Sequence, residues 1–289
     1  MAAIVGHDVD FRVPLKLLGG LHYLVLEGRA SWDDVPRALD EHTEFLRAFV
    51  RERSVQTNEV QRSWMLLPCF LEVARRTGAQ VFDLIELGPS AGFNLLWDRY
   101  RYGYERGTWG ADDAVLELRG EERLPVPLEL LQLAPRVRSR VGVDIEPVDV
   151  TRDEEARTLK AFVWPDQMWR LTLVEQAIAA VRRERPRVIA GDAAEELPRL
   201  LAGRRRDAVT LVYQTAVIGY MAPKRRELVY AALAQAGRNG GLAYVGTHSP
   251  LDGSDRYYGL AVQTWPGGGE REIVAHADFH GAWIEWLPR

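Results

Sequence analysis

Val81-Phe82-Asp83-Leu84-Ile85-Glu86-Leu87-Gly88-Pro89-Ser90-Ala91-Gly92 is the stretch whose reading decides the fold. Its first seven residues are an apolar run of strand length, and its last five are a turn of small residues. Residues 93–101 then read as helical. Strand, glycine turn and helix together open an α/β nucleotide-binding unit. Apolar runs at 140–145, 187–190, 208–213, 242–247, 257–264 and 272–277 repeat the theme, with helical stretches at 166–184 and 223–236 between them. The last two runs are separated by Pro266-Gly267-Gly268-Gly269, a turn rather than a helix. They read as an antiparallel hairpin closing a mostly parallel sheet of about seven strands. A further small hairpin is expected around 114–118.

Residues 1–80 read differently. Leu15, Leu18, Leu21 and Leu26 recur near helical spacing, Ser31 with Asp33 and Asp34 looks like a cap before a helix at 35–51, and a third helix over 58–77 is closed by Gly78. The expected organisation is a helical N-terminal subdomain, 1–80, followed by a Rossmann-like domain, 81–289.

The 289 residues are 47% hydrophobic and 27% charged, which supplies a sizeable core and excludes disorder as the main state. The net charge of −4 argues against a protein that coats nucleic acid. Only Lys16, Lys160 and Lys224 are lysines; the other basic side chains are arginines. One cysteine, Cys69, excludes an intramolecular disulfide framework and a Cys-based zinc cluster. The start of the chain carries Asp8 and Asp10 and no basic segment, so it does not read as a signal peptide. The longest uncharged run, 208–223, is too short and too polar to span a bilayer. A soluble cytoplasmic protein, with no nucleic-acid or membrane partner, is expected.

The turn Gly88-Pro89-Ser90-Ala91-Gly92 fits two motifs. As a G-x-S-x-G nucleophile elbow it makes Ser90 a nucleophile, with Asp192 or Asp207 and then His248 completing a triad. As a methyltransferase cofactor loop it places an acidic residue, Glu86, two positions before the first glycine, and its small residues let backbone N–H groups approach a ligand at a helix N-terminus. Chain order separates the two, because a hydrolase elbow follows several strands and this turn follows the first. A dehydrogenase needs a glycine at position 90, where this chain has serine.

Two acidic positions continue the cofactor reading. Asp144, in Gly142-Val143-Asp144, stands at the tip of the second sheet strand, where a carboxylate can accept bonds from ribose hydroxyls. It lies 52 residues beyond Gly92, where about 20 is usual. Either 104–135 is an insertion or Glu117 is the true partner, and Asp144 has the better strand-end texture. Gly191-Asp192-Ala193 after the third strand would set a carboxylate against the adenine amine, and Asp192 also suits a helix cap. Gln214 and Thr215 end the fourth strand where the transferred group would lie, and are the candidate catalytic contacts. Asn58, Glu59, Trp164, Gln167 and Tyr220 are candidate substrate or lid residues. Trp164-Pro165-Asp166-Gln167 also reads simply as a helix start. His276 and His280 lack a third ligand and lie in strand-like sequence, so no metal site is expected.

In Val13–His22, Gln56–Val60, Glu86–Tyr100, Gly142–Val150, Trp164–Gln167 and Gly191-Asp192 the chain resembles the family called domain of unknown function 2332. The resemblance covers most of the chain. It implies a helical N-terminal part on a Rossmann-like methyltransferase fold, and no particular reaction. It also implies more helical sequence ahead of residues 14–22 in the family, and so a chain that begins late here. The expected function is an S-adenosylmethionine-dependent methyltransferase acting on a small molecule. Gly88, Pro89, Ser90, Ala91 and Gly92 would hold the methionine end, Asp144 the ribose, and Asp192 the adenine. The rivals are a serine hydrolase using Ser90 and a non-catalytic domain of the same fold.

Overall fold

The computed structural model describes residues 13–55, 58–250, 252–266 and 270–288. Gln56 and Thr57, Gly267 to Gly269 of the glycine turn, and the acidic start of the chain lie outside them. Contacts divide the chain into two compact units. One takes the described residues up to Asn58 with Val148–Arg182; the other takes Glu59–Pro147 and Arg183–Arg289.

The first unit is helical: α1 (Val13–Leu26), α2 (Val35–Glu41), α3 (Thr43–Glu52), α6 (Asp153–Ala161) and most of α7 (Met168–Glu184). Ser31 and Asp34 cap as expected, accepting bonds from Asp33 N and Arg37 N. The helix expected at 35–51 is broken at His42, which leaves helical geometry. The Gly19-Gly20-Leu21-His22 motif is packing. Phe162 covers Gly19, Leu46 and Phe49 cover Gly20, and His22 Nδ1 meets the carbonyls of Ala161 and Val163 at 3.2 and 3.0 Å.

The second unit is built on nine strands: β1 (Val81–Leu87), β5 (Glu121–Leu124), β6 (Arg136–Asp144), β7 (Arg187–Ala190), β8 (Val209–Gln214), β9 (Leu242–His248), β10 (Tyr258–Trp265), β11 (Glu272–Ala277) and β12 (Trp283–Trp286). Their order is β5-β12-β11-β10-β9-β8-β1-β6-β7. The five strands from β7 to β9 are parallel, and β9 to β12 form an antiparallel meander. The sheet is therefore mostly parallel with an antiparallel C-terminal end, but has nine strands rather than about seven. β5 and β12 escape periodicity because each is four residues long and β5, Glu121-Glu122-Arg123-Leu124, carries three charges. The small hairpin expected at 114–118 is not formed. Instead β2 (Arg101–Tyr104) pairs antiparallel with β3 (Gly107–Trp109) and parallel with β4 (Glu117–Arg119).

Ile85 and Leu87 pack on one face of the sheet with α8 (Ala193–Ala202) and α10 (Pro223–Gly237). The opposite face meets α4 (Arg62–Thr77), closed by Gly78 in the left-handed region, and α5 (Leu128–Leu131) packs on α4. A further single-turn helix, α9 (Val217–Tyr220), follows β8. Starting from β1 the chain adds β6 and β7 on one side, then returns to add β8 on the other. The carboxyl ends of β1 and β8 thus flank a topological switch point, the usual ligand crevice of open α/β sheets.

Candidate functional site

The glycine loop leaves β1 at Leu87, and Gly88 N donates to Val143 O (2.9 Å). Gly88 has φ 70°, and a Cβ there would lie 2.7 Å from Val217 Cγ2, so only glycine lets α9 close over the end of β1. Ser90 is left-handed at φ 51°. Its N–H donates to Asp144 Oδ2 at 2.8 Å, while Asp144 Oδ1 accepts from Glu146 N at 2.9 Å. A carboxylate has about four acceptor positions, so Asp144 keeps capacity for ligand hydroxyls.

The segment after the loop, Phe93–Arg99, is a 3-10 helix rather than the expected α-helix. Its carbonyls are taken by side chains. Tyr100 and Tyr213 hydroxyls donate to Phe93 O and Asn94 O, Arg140 donates to Leu95 O, and the Tyr102 hydroxyl donates to Trp97 O. These acceptors are then less available for the i→i+4 ladder.

A cavity of about 220 Å³ lies at the switch point. Gly88, Asp144, Gly191, Asp192 and Ala193 line it, with Val143 and Ile145 among its apolar lining. Val217, Tyr220, Met221 and Arg225 contribute from the other side. Strand register explains the convergence: Leu87, Val143 and Gln214 are level across β1, β6 and β8, and Asp144 is level with Ala190 on β7. Asp192 caps α8 through Ala194 N (2.7 Å), and its Oδ2 lies 3.3 Å from Arg225 Nε. Arg225 also reaches Glu195 at 2.9 Å. This partly exposed pair is worth about 0–1 kcal/mol, so it can yield to a ligand.

Other predicted residues lie elsewhere. Glu117 is in β4, ion-paired with Arg119. Pro89 packs over Gly142, and Gly92 (φ 85°) faces Pro186, Leu95 and Val188 rather than the cavity. Ala91 is buried. Glu86 is 1% exposed on the opposite face of β1 from Ile85 and Leu87, with the Tyr213 hydroxyl 3.3 Å from Oε2. Burial pushes its carboxyl up to about 8, against the opposing hydrogen bonds, so it is mainly protonated at neutral pH. Gln214 is buried: its Nε2 donates to the Tyr244 hydroxyl (3.1 Å) and to Thr247 O (3.0 Å). Thr215 is buried beside it. Glu59 is buried near His280 in the second unit. Asn58, Trp164 and Gln167 belong to the first unit, where Gln167 accepts from Arg170 at the start of α7.

His248, at the end of β9, completes a chain from Gln214 through Tyr244, whose hydroxyl lies 3.3 Å from Nε2. Burial, and then Arg271, push its imidazole down to about 3, so the ring is neutral at physiological pH. Arg225, Arg226 and Arg271 were not legible as site residues. The signal that could have found the first two is their position in the helical turn that follows the β8 crossover.

Among the described residues, no group of three or more His, Cys, Asp or Glu side chains is placed to hold a metal, and no helix is long and apolar enough to cross a membrane. No curated protein matches the chain. The profile of a family described as uncharacterized protein conserved in bacteria (DUF2332) matches residues 1–286, nearly the whole length, and the chain belongs to that family.

Proposed function

We propose that the protein is an S-adenosylmethionine-dependent methyltransferase with a small-molecule substrate. The observation that carries this reading is the convergence of Gly88, Asp144 and Gly191-Asp192 on one cavity at the switch point. Three strand ends, far apart in sequence, supply the donors and acceptors that a nucleoside needs. The cavity is smaller than the roughly 300 Å³ at which small-molecule pockets begin, which suits the nucleoside part of the ligand alone. Asp144 would take the ribose hydroxyls and Asp192 the adenine amine, after releasing Arg225. When bound, the cofactor would supply an activated sulfonium methyl for a nucleophilic substrate atom. The protein's own task is then positioning and exclusion of water.

Isothermal titration of the full chain with S-adenosylmethionine and S-adenosylhomocysteine tests this. Saturable binding of both supports it. No heat and no thermal shift at about 1 mM ligand, the weakest useful affinity, would sink it.

The left-handed backbone at Ser90 is the one observation that favours a nucleophile elbow. Two placements weigh against it. Asp207 is tied through Arg138 to Asp83, at the opposite end of the parallel strands from Ser90. His248 is engaged with Tyr244. A fluorophosphonate probe is expected to leave Ser90 unlabelled; stoichiometric labelling there would favour the hydrolase.

A further inference from the structure

A second cavity, of about 410 Å³, lies beside the first in the same unit. The two share a wall. α9 gives Val217 and Tyr220 to the first and Ile218 and Gly219 to the second, while the first turn of α10 gives Arg225 to the first and Arg226 to the second. Successive helical residues diverge by about 100°, so one turn can serve both sides. Ala216, non-glycine yet at φ 67°, stands at the start of that wall and lines the second cavity. Backbone strain of this kind persists where the surroundings enforce it, commonly at functional sites.

The second cavity is cationic and aromatic. Arg226 and Tyr230, one turn apart on α10, line it with Arg271, His248 and Tyr258. The Arg271 guanidinium lies over the Tyr230 ring, 4.1 Å from its centroid. A guanidinium held over an aromatic ring can still use its N–H fork, which meets a carboxylate or phosphate with two bonds. Unlike Arg225, neither Arg226 nor Arg271 has an ion-paired carboxylate among the described residues. Asp255 is the one carboxylate in the lining, and it is solvent-exposed. The Tyr258 ring is fixed edge-on to Phe279, with centroids 4.6 Å apart, so part of the wall is a rigid aromatic surface.

We propose that this second cavity receives the methyl-accepting substrate, and that the substrate is a small aromatic molecule with an anionic oxygen group, carboxylate or phosphate, gripped by Arg226 and Arg271. The role given to the cavity rests on the methyltransferase reading; its charge and shape do not. The tyrosine rings bind the planar body, and the two guanidiniums hold the anion, which fixes how the rest of the molecule lies in the cavity.

The test titrates the full chain with benzoate and phenyl phosphate, with benzylamine and benzyl alcohol as charge controls. Binding of either anion at least tenfold tighter than both controls is expected, and comparing the two anions tells carboxylate from phosphate. The double variant Arg226→Gln/Arg271→Gln should lose at least tenfold in anion affinity, while Arg238→Gln, on the exposed end of α10, should keep it. If the double variant does not fold, the His248 ring resonances of the unmodified protein replace it: they should shift with the anions and not with benzylamine. Equal binding of all four probes, equal loss in Arg238→Gln, or unmoved His248 resonances would overturn the proposal. S-adenosylhomocysteine is titrated separately. If it binds and the anions do not, the second cavity is misread and the methyltransferase reading survives. If the anions bind and it does not, the anion site stands and the methyltransferase role falls.

Discussion

Asp144 performs two tasks with one carboxylate. It pins the loop through Ser90 N and presents its remaining acceptor positions to the cavity. A charged hydrogen bond contributes about 1.5–3 kcal/mol, so Asp144→Ala is expected to weaken S-adenosylhomocysteine binding roughly tenfold or more. Calorimetry reads this directly, and unchanged affinity would remove Asp144 from the site. Glu86 allows a different prediction. Its folded value, about 8, lies above the unfolded value of 4.5. The folded state therefore holds a proton that the unfolded state releases, and stability falls as pH rises through that window. At one pK unit per 1.36 kcal/mol, the loss is on the order of a few kcal/mol. Glu86→Gln removes the ionisation and keeps the shape. Its melting temperature should gain on the unmodified protein from pH 5 to pH 9; a constant difference would show that Glu86 is not held protonated.

The loop and its two neighbours act as one element. Gly88 is fixed by α9 and Gly92 by the approach to β7, and the two glycines should respond differently to a methyl group. Gly88→Ala combines left-handed strain with a collision at Val217, a cost of roughly 2–4 kcal/mol. Removing the obstruction with Val217→Ala should recover part of it, so urea unfolding of the four-member cycle should give a coupling of about 1–3 kcal/mol. Additive effects would mean that α9 does not close on Gly88. Gly92→Ala meets Pro186 Cγ at 3.3 Å and lies outside the cavity. It should lower stability by about 1–2 kcal/mol and leave nucleoside affinity within about threefold, as fits a turn glycine.

Across the whole sheet, the antiparallel end depends on its last strand. β12 sits between β11 and β5, with Glu121 N donating to Ala282 O and Arg123 stacked on Trp283 at 3.6 Å. Gln61 joins the same corner by donating to Arg119 O and Gly281 O. Ending the chain after Asp278 would leave β11 as an open edge and β5 without its partner, an invitation to edge-to-edge association. Size-exclusion chromatography should show the shortened protein as aggregate, with a lowered melting temperature in whatever remains soluble. A monodisperse shortened protein of unchanged melting temperature would show that β12 is dispensable.

The sequence by itself determined the strand framework. β1, β7 and β11 occupy the residues that their runs mark, because short runs of apolar and β-branched residues bounded by turn residues favour an extended chain. It also marked Gly88, Asp144 and Asp192, since strand-end acids beside glycines are local patterns. Tertiary structure alone decided the rest. The segment after the loop is a 3-10 helix whose carbonyls accept from Tyr213 of β8 and from Tyr100 and Tyr102. Glu86 faces away from the cavity because side chains alternate along β1. Gln214 turned inward to Tyr244 and Thr247. Arg226, Tyr230, His248 and Arg271 converge on one cavity although 45 positions separate the first from the last. No local pattern records a convergence that depends on which strands lie side by side, and that neighbourhood is set only when the whole sheet forms.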